Sequence, residues 1–157
     1  MYSWKSIADW ILENIDDVTD KKLQKLMYFA YAWYLVFFNE SGDEIDNRLF
    51  EGQFEAWVHG PVLPELYREV KRFHGNKIGA DYFESNREDN FNPEVLDLLK
   101  QVKDVYGKYD GNELESITHQ EDPWIDAREG CRSNEICKNQ ISDKAMFDYY
   151  VRRLDNE

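Results

Sequence analysis

The sequence predicts a mainly α fold: a single compact helical domain with a small two-stranded β element. Three observations lead there. Apolar residues recur at helical spacing in stretch after stretch. Several of those stretches open on a cap residue, a proline or both. No strand-like runs alternate with helical ones in the way a parallel sheet requires. At 157 residues the whole chain, 1–157, fits one domain with a real core. No internal repeat, linker or low-complexity block divides it.

Ser3 caps a first helix, along which Trp4, Ile7, Ala8, Ile11 and Ile15 form one apolar stripe. Thr19 caps the next, with Asp20 in its first turn, where an acid suits the helix dipole. Position 22 is Lys, so a full capping box is missing. This second helix, residues 20–38, carries Leu23, Leu26, Met27, Ala30, Tyr31, Tyr34 and Phe37 on one stripe, with Phe29, Trp33, Val36 and Phe38 elsewhere around it. A helix apolar on most faces belongs at the centre of its fold.

After an acidic turn at residues 39–47, residues 49–58 suit a strand, with Gly52 as a weak point or bulge. Phe54, Ala56 and Val58 alternate there with Glu55, Trp57 and His59. Gly60-Pro61 breaks the strand. Pro64 restarts the chain as a third helix, because its fixed φ suits the first turn and its missing N–H loses nothing there. Leu63, Leu66, Tyr67 and Val70 follow at helical spacing, and Gly75 is the expected C-terminal cap. Residues 78–83 are expected to pair with the earlier strand as a small ribbon, and residues 85–90 to be a polar, exposed stretch. Asn92-Pro93-Glu94 is a strong helix start: cap, proline, acid. That fourth helix runs through Val95, Leu98, Leu99, Val102, Val105, Tyr106 and Tyr109 until Asp110-Gly111-Asn112 stops it. A short helix at 113–119, a turn through Pro123-Trp124 to Arg128, a loop at 129–140 and a last helix capped by Ser142 complete the chain. Ala145, Met146, Tyr149 and Tyr150 face inward on that last helix.

The net charge is −13. Nucleic-acid binders cluster Lys and Arg to displace phosphate counterions; here the bases are interleaved with acids, as in Lys21-Lys22 beside Asp16, Asp17 and Asp20. Direct nucleic-acid binding and anionic-membrane binding are therefore disfavoured, while encounter with a basic partner is favoured. No apolar run is long enough to span a bilayer, and Met1-Tyr2-Ser3-Trp4-Lys5 lacks a signal-peptide layout. A cytoplasmic location is expected, and with it Cys131 and Cys137 as free thiols. Zinc would need two further ligands at the usual spacing.

Catalytic spacing is missing. His59 and His119 flank proline-containing turns and could in principle meet Cys131 as a nucleophile pair. No nucleophile elbow and no third orienting group accompanies them, and loop-fixing side chains are far commoner than triads. Gly60 stands outside any phosphate-cradling pattern. Asp16-Asp17, Asp43/Glu44/Asp46 and Glu121-Asp122 lack metal-ligand spacing and read as solvated faces or helix N-terminal acids. Neither a cofactor nor a metal is expected. Large aromatics beside turns, Trp57, Tyr67 and Trp124, serve as core plugs or interface anchors. A groove shaped jointly by the His59–Pro64 corner and the Pro123-Trp124 turn would suit a protein or peptide partner.

Leu23-Gln24-Lys25-Leu26-Met27-Tyr28-Phe29-Ala30 resembles the opening helix of the Panacea antitoxin family, the SocA-like and phage-associated proteins. Phe54-Glu55-Ala56-Trp57-Val58-His59-Gly60-Pro61-Val62, with Pro64-Glu65-Leu66-Tyr67, resembles its central motif. Leu114-Glu115-Ser116-Ile117-Thr118-His119, then Pro123-Trp124 and Ala127-Arg128, resembles its third block. The three blocks occur in the family's order. The family's His-Gly-Pro or Tyr-Gly-Pro corner is matched by His59, Gly60 and Pro61; Asp122 stands where a small residue is usual. The resemblance implies a non-catalytic antitoxin of a toxin–antitoxin system, encoded beside its toxin and often on a prophage or other mobile element. It neutralises the toxin by direct contact; in at least one branch it instead delivers the toxin to a protease as an adaptor. The motif core implied for this chain is Trp57, His59, Gly60, Pro61, Pro64, Tyr67, His119, Pro123 and Trp124.

Overall fold

A computed structural model describes residues 1–83 and 90–155. Its elements in chain order are α1 (Trp4–Asn14), α2 (Asp20–Phe38), β1 (Glu55–Trp57), β2 (Gly60–Val62), α3 (Pro64–Val70), a 3-10 turn (Lys71–Phe73), α4 (Pro93–Tyr106), α5 (Gly111–Thr118), α6 (Asp122–Ala127) and α7 (Asp143–Asp155). The fold is thus mainly helical with one small antiparallel hairpin. The stretch at 85–90 falls, apart from Asn90, outside the described residues.

The caps read from the sequence hold. The Ser3 hydroxyl accepts the Ser6 N–H at 3.1 Å, Thr19 that of Lys22 at 3.3 Å, Asn92 that of Glu94 at 2.9 Å and Ser142 that of Ala145 at 3.0 Å. Each satisfies an otherwise orphaned donor in a first helical turn. α2 is the central helix: every residue from 22 to 32 is buried, and it touches α1, α3, α4, α5, α7 and β2. Tyr28, Phe29 and Tyr31 are fully buried on it, and Phe29 stacks on Tyr106 of α4 at 3.9 Å. Aromatics of this size supply much of the apolar area that offsets chain entropy.

Five expectations change. The β element is not a ribbon between residues 49–58 and 78–83. β1 pairs with β2 in the register Glu55↔Val62, Ala56↔Pro61, Trp57↔Gly60, and the Ile78 N–H goes to the Val18 carbonyl instead. The turn is Val58-His59, one step before the Gly60-Pro61 break read from the sequence. Gly60 then supplies a φ of 107°, which a side chain would strain. Pro61 is tolerated in the strand because Ala56 opposite it spends both main-chain groups elsewhere: its N–H on the Asn139 carbonyl and its C=O on Arg128.

The fourth helix stops at Tyr106, and Asp110-Gly111-Asn112 starts α5 rather than merely ending α4. Asp110 accepts the Glu113 N–H at 2.8 Å while Glu113 accepts the Asp110 N–H at 3.0 Å, a full capping box. His74 (φ 48°) enters the left-handed region one residue before Gly75 (φ 85°), so the third helical segment ends earlier than its glycine. Cys131 and Cys137 are not free thiols but a disulfide, with Cα atoms 6.2 Å apart. The loop between them is drawn back on itself by Arg128, whose guanidinium donates to the Arg132 and Glu135 carbonyls. No helix among the described residues is long and apolar enough to cross a membrane.

Candidate protein-interaction site

The hairpin is gripped by its backbone. From α2, Gln24 grips Leu63 at both ends: Nε2 donates to its carbonyl at 3.2 Å and Oε1 accepts its N–H at 2.8 Å. Lys25, 1% exposed, donates from Nζ to the Pro61 carbonyl at 3.0 Å. From the other side, Trp124 Nε1 donates to the Trp57 carbonyl at 2.8 Å and Arg128 Nη1 to the Ala56 carbonyl at 2.8 Å. His119 hydrogen-bonds the Val58 backbone and stacks on the Trp124 ring at 4.0 Å; the Arg128 guanidinium lies 5.3 Å from that ring. A buried main-chain group without a partner is costly, so these side chains fix where the hairpin can sit.

The clamp constrains its glycine too. A Cβ on Gly60 would stand 2.7 Å from Lys25 Cε and 3.0 Å from Thr118 Oγ1. Burial lowers the Lys25 pKa to about 7, against the opposing pull of Glu115. Glu115 is the polar hub beside the turn. It meets Lys21 at 2.7 Å and His59 Nδ1 at 3.1 Å, and lies 3.9 Å from His119 Nε2. Burial pushes its carboxyl up, but Lys21 and His59 outweigh that and hold it below its ordinary value. The His119 ring is held below its ordinary value by burial, against Glu115 and the Val58 bond.

The structure brings His59 and His119 together around Glu115, which the sequence reading did not single out. It removes Cys131 as a nucleophile by bonding it to Cys137. Among the described residues no group of three His, Cys, Asp or Glu side chains could hold a metal ion. Glu121 is not on a solvated face: it is 5% exposed and accepts the Tyr150 hydroxyl at 2.6 Å, with Tyr28 beyond it at 3.5 Å. Burial raises its pKa to about 7, against the Tyr150 bond and Arg153.

On the hairpin's outer side lies an open groove of about 750 Å³. Trp57, Val58, His59 and Val62 of the hairpin line it with Tyr67 and Val70 of α3, as do residues at the starts of α2 and α5 and, from the disulfide loop, Ile136 and Cys137. Trp57 and Tyr67 meet edge to face at 4.8 Å. Among the motif-core residues, Trp57, His59 and Tyr67 line this groove. Gly60, Pro61 and Pro123 are buried in the frame, and Pro64 opens α3. His119 and Trp124 prop the hairpin from its other side, so the Pro123-Trp124 turn meets the corner without lining the groove. The clamping residues Gln24 and Lys25 had one signal in the sequence: they are polar side chains in a helix that is apolar on most faces.

A helical domain built around a backbone-clamped hairpin, with an aromatic groove beside it, has the anatomy of a protein-interaction module. The family model described as "Antitoxin SocA-like, Panacea domain" matches residues 23–125, and the chain belongs to that family. It is similar to the protein named Antitoxin SocA of Caulobacter vibrioides (strain NA1000 / CB15N), 28% identical over 144 residues that cover 83% of this chain and 73% of that protein. No solved structure matches the chain.

Proposed function

We propose that this protein is the antitoxin of a toxin–antitoxin pair, a non-catalytic cytoplasmic protein of one domain spanning residues 1–157. It neutralises a protein toxin, encoded by an adjacent gene, by covering the toxin's working surface. The observation that carries this reading is the interlock of the three family blocks. The first and third clamp the backbone of the second and leave Trp57, His59 and Tyr67 presented along an open groove. A rigid frame of this kind lowers the entropy lost on docking, and large aromatics on it suit an interface anchor. Gly60, Pro61, Pro64, His119, Pro123 and Trp124 serve as the frame. The net charge of −13 speeds encounter with a basic toxin.

The test is co-expression with the neighbouring gene product. That product alone should stop growth, growth should return with this protein, and the two should co-purify. A neighbour harmless alone, or still toxic in company, ends the proposal. If growth returns while the toxin's half-life collapses in a protease-dependent way, the protein acts as a proteolytic adaptor rather than by occlusion.

A further inference from the structure

The groove is far less acidic than the molecule around it. Lys21, Lys25 and Lys71 line it, with His59 and His74, against Asp20 and Asp110. With neutral histidines Lys21 and Lys71 balance Asp20 and Asp110, and Lys25, whose pKa burial lowers to about 7, tips the groove positive when protonated, in a chain whose net charge is −13. Both acids are already engaged at helix starts. Asp20 Oδ1 accepts the Lys21 N–H at 2.9 Å, and Asp110 Oδ1 accepts that of Glu113 at 2.8 Å. The nearby carboxylate of Glu115 is paired with Lys21 and His59, a contact that occupies the Lys21 ammonium as well. The first turns of α2 and α5 both border the groove, and each adds the partial positive charge of a helix N-terminus. Beneath it, among the described residues, the Lys25 ammonium has the Pro61 carbonyl as its one hydrogen-bond partner, which leaves two N–H directions unspent. Beside these cations stand Trp57, Val62, Tyr67 and Ile136, the last 83% exposed.

From this juxtaposition we infer that the groove receives a segment of the partner protein in which an apolar side chain stands next to a carboxylate. The inference rests on the reading of this surface as the partner-binding one. The apolar side chain packs against the Trp57–Tyr67 pair, and the carboxylate is drawn to the lysines and helix starts. The lysines and helix starts thus select one acidic-apolar segment, while the acidic remainder of the surface acts on the approach of the partner as a whole.

The probe is N-acetyl-L-phenylalaninate, an apolar side chain beside a carboxylate, titrated into the ¹⁵N-labelled protein alongside its uncharged amide. The acid is expected to move the Trp57 indole and Gly111 amide signals saturably, and to bind at least 5-fold more tightly than the amide. Lys71→Glu should weaken the acid at least 5-fold, whereas Lys100→Glu, exposed on α4 away from the groove, should leave it unchanged. Equal affinity for acid and amide, no saturable shift, or indifference to Lys71→Glu overturns the inference. So does self-association through the groove that the acid does not displace, which would assign it to a second copy of the chain. The toxin is absent from this experiment. Acid binding with failed neutralisation therefore sinks the antitoxin reading alone, and neutralisation without acid binding sinks the groove's chemistry alone.

Discussion

The two sides of the hairpin are made from one short stretch of sequence and do opposite things. Its inner side is its main chain, engaged by Gln24 and Lys25 from α2 and by Trp124 and Arg128 from the opposite flank. Its outer side carries Trp57 and His59 over an open groove, with Tyr67 of α3 beside them. Within one family motif, then, some residues fix the frame and others are available to a partner. The distinction predicts two kinds of variant: those that lose stability, and those that keep it and lose binding.

The largest effect belongs to the inner side. Arg128→Ala strands the Ala56, Arg132 and Glu135 carbonyls together; losing several hydrogen bonds to one buried cation should cost about 3–5 kcal/mol. Urea unfolding measures it, and a loss below about 1 kcal/mol would break the inner–outer contrast. Gly60→Ala comes next. The φ of 107° and the 2.7 Å approach to Lys25 Cε should together cost about 1–3 kcal/mol, seen as a lower thermal midpoint.

Two buried groups also make stability depend on pH. Glu121 holds its proton to about 7 in the native state but only to 4.5 when unfolded. Its contribution to stability is full below 4.5 and lost as pH rises through 7. Lys25 sheds its proton near 7 in the native state and near 10.5 unfolded. Its contribution is full above 10.5 and lost as pH falls through 7. These two groups alone give a minimum near neutrality. Glu121→Gln should flatten the acid limb of the urea-midpoint profile, and Lys25→Met the alkaline limb. Unchanged limbs in those variants would show that neither group titrates as its burial demands.

The smallest stability effect belongs to the outer side. Tyr67 is 40% exposed, and its edge contact with Trp57 is worth about 0.5–1.5 kcal/mol at most. Tyr67→Ala should shift the unfolding midpoint little yet abolish rescue in co-expression. A variant that loses both together would merge the two sides into one.

Much of the helical frame was legible, because Ser3, Thr19, Asn92 and Ser142 precede periodic apolar runs and do what short polar side chains do at helix starts. The hairpin was half legible. Gly60 and Pro61 are strong turn formers, but here a positive φ and a missing N–H fit within a strand because Ala56 bonds outward. Asp110-Gly111 was read as a stop although Asp110 and Glu113 have the spacing of a capping box, since Gly outweighed it. Trp57, His59 and Tyr67 were legible as groove candidates from their place at turns. The rest of the lining was not, because nothing local says that the starts of α2 and α5 face the hairpin. Lys22, Gln24 and Lys25 interrupt a helix buried all round, and a buried polar side chain demands a partner. Sequence shows the demand; only the fold shows that Gly107, Leu63 and Pro61 carbonyls answer it. The Cys131–Cys137 bond went unread because six-residue spacing alone does not bring two sulfurs together.

A grip on main-chain oxygens is indifferent to what hangs from the same Cα atoms. Exchanging the side chains at positions 57 and 59 breaks none of the bonds that Trp124, Arg128, Lys25 and Gln24 make to the hairpin. Heritable variation at the rim can therefore accumulate without loosening that grip, and one scaffold can carry different rims.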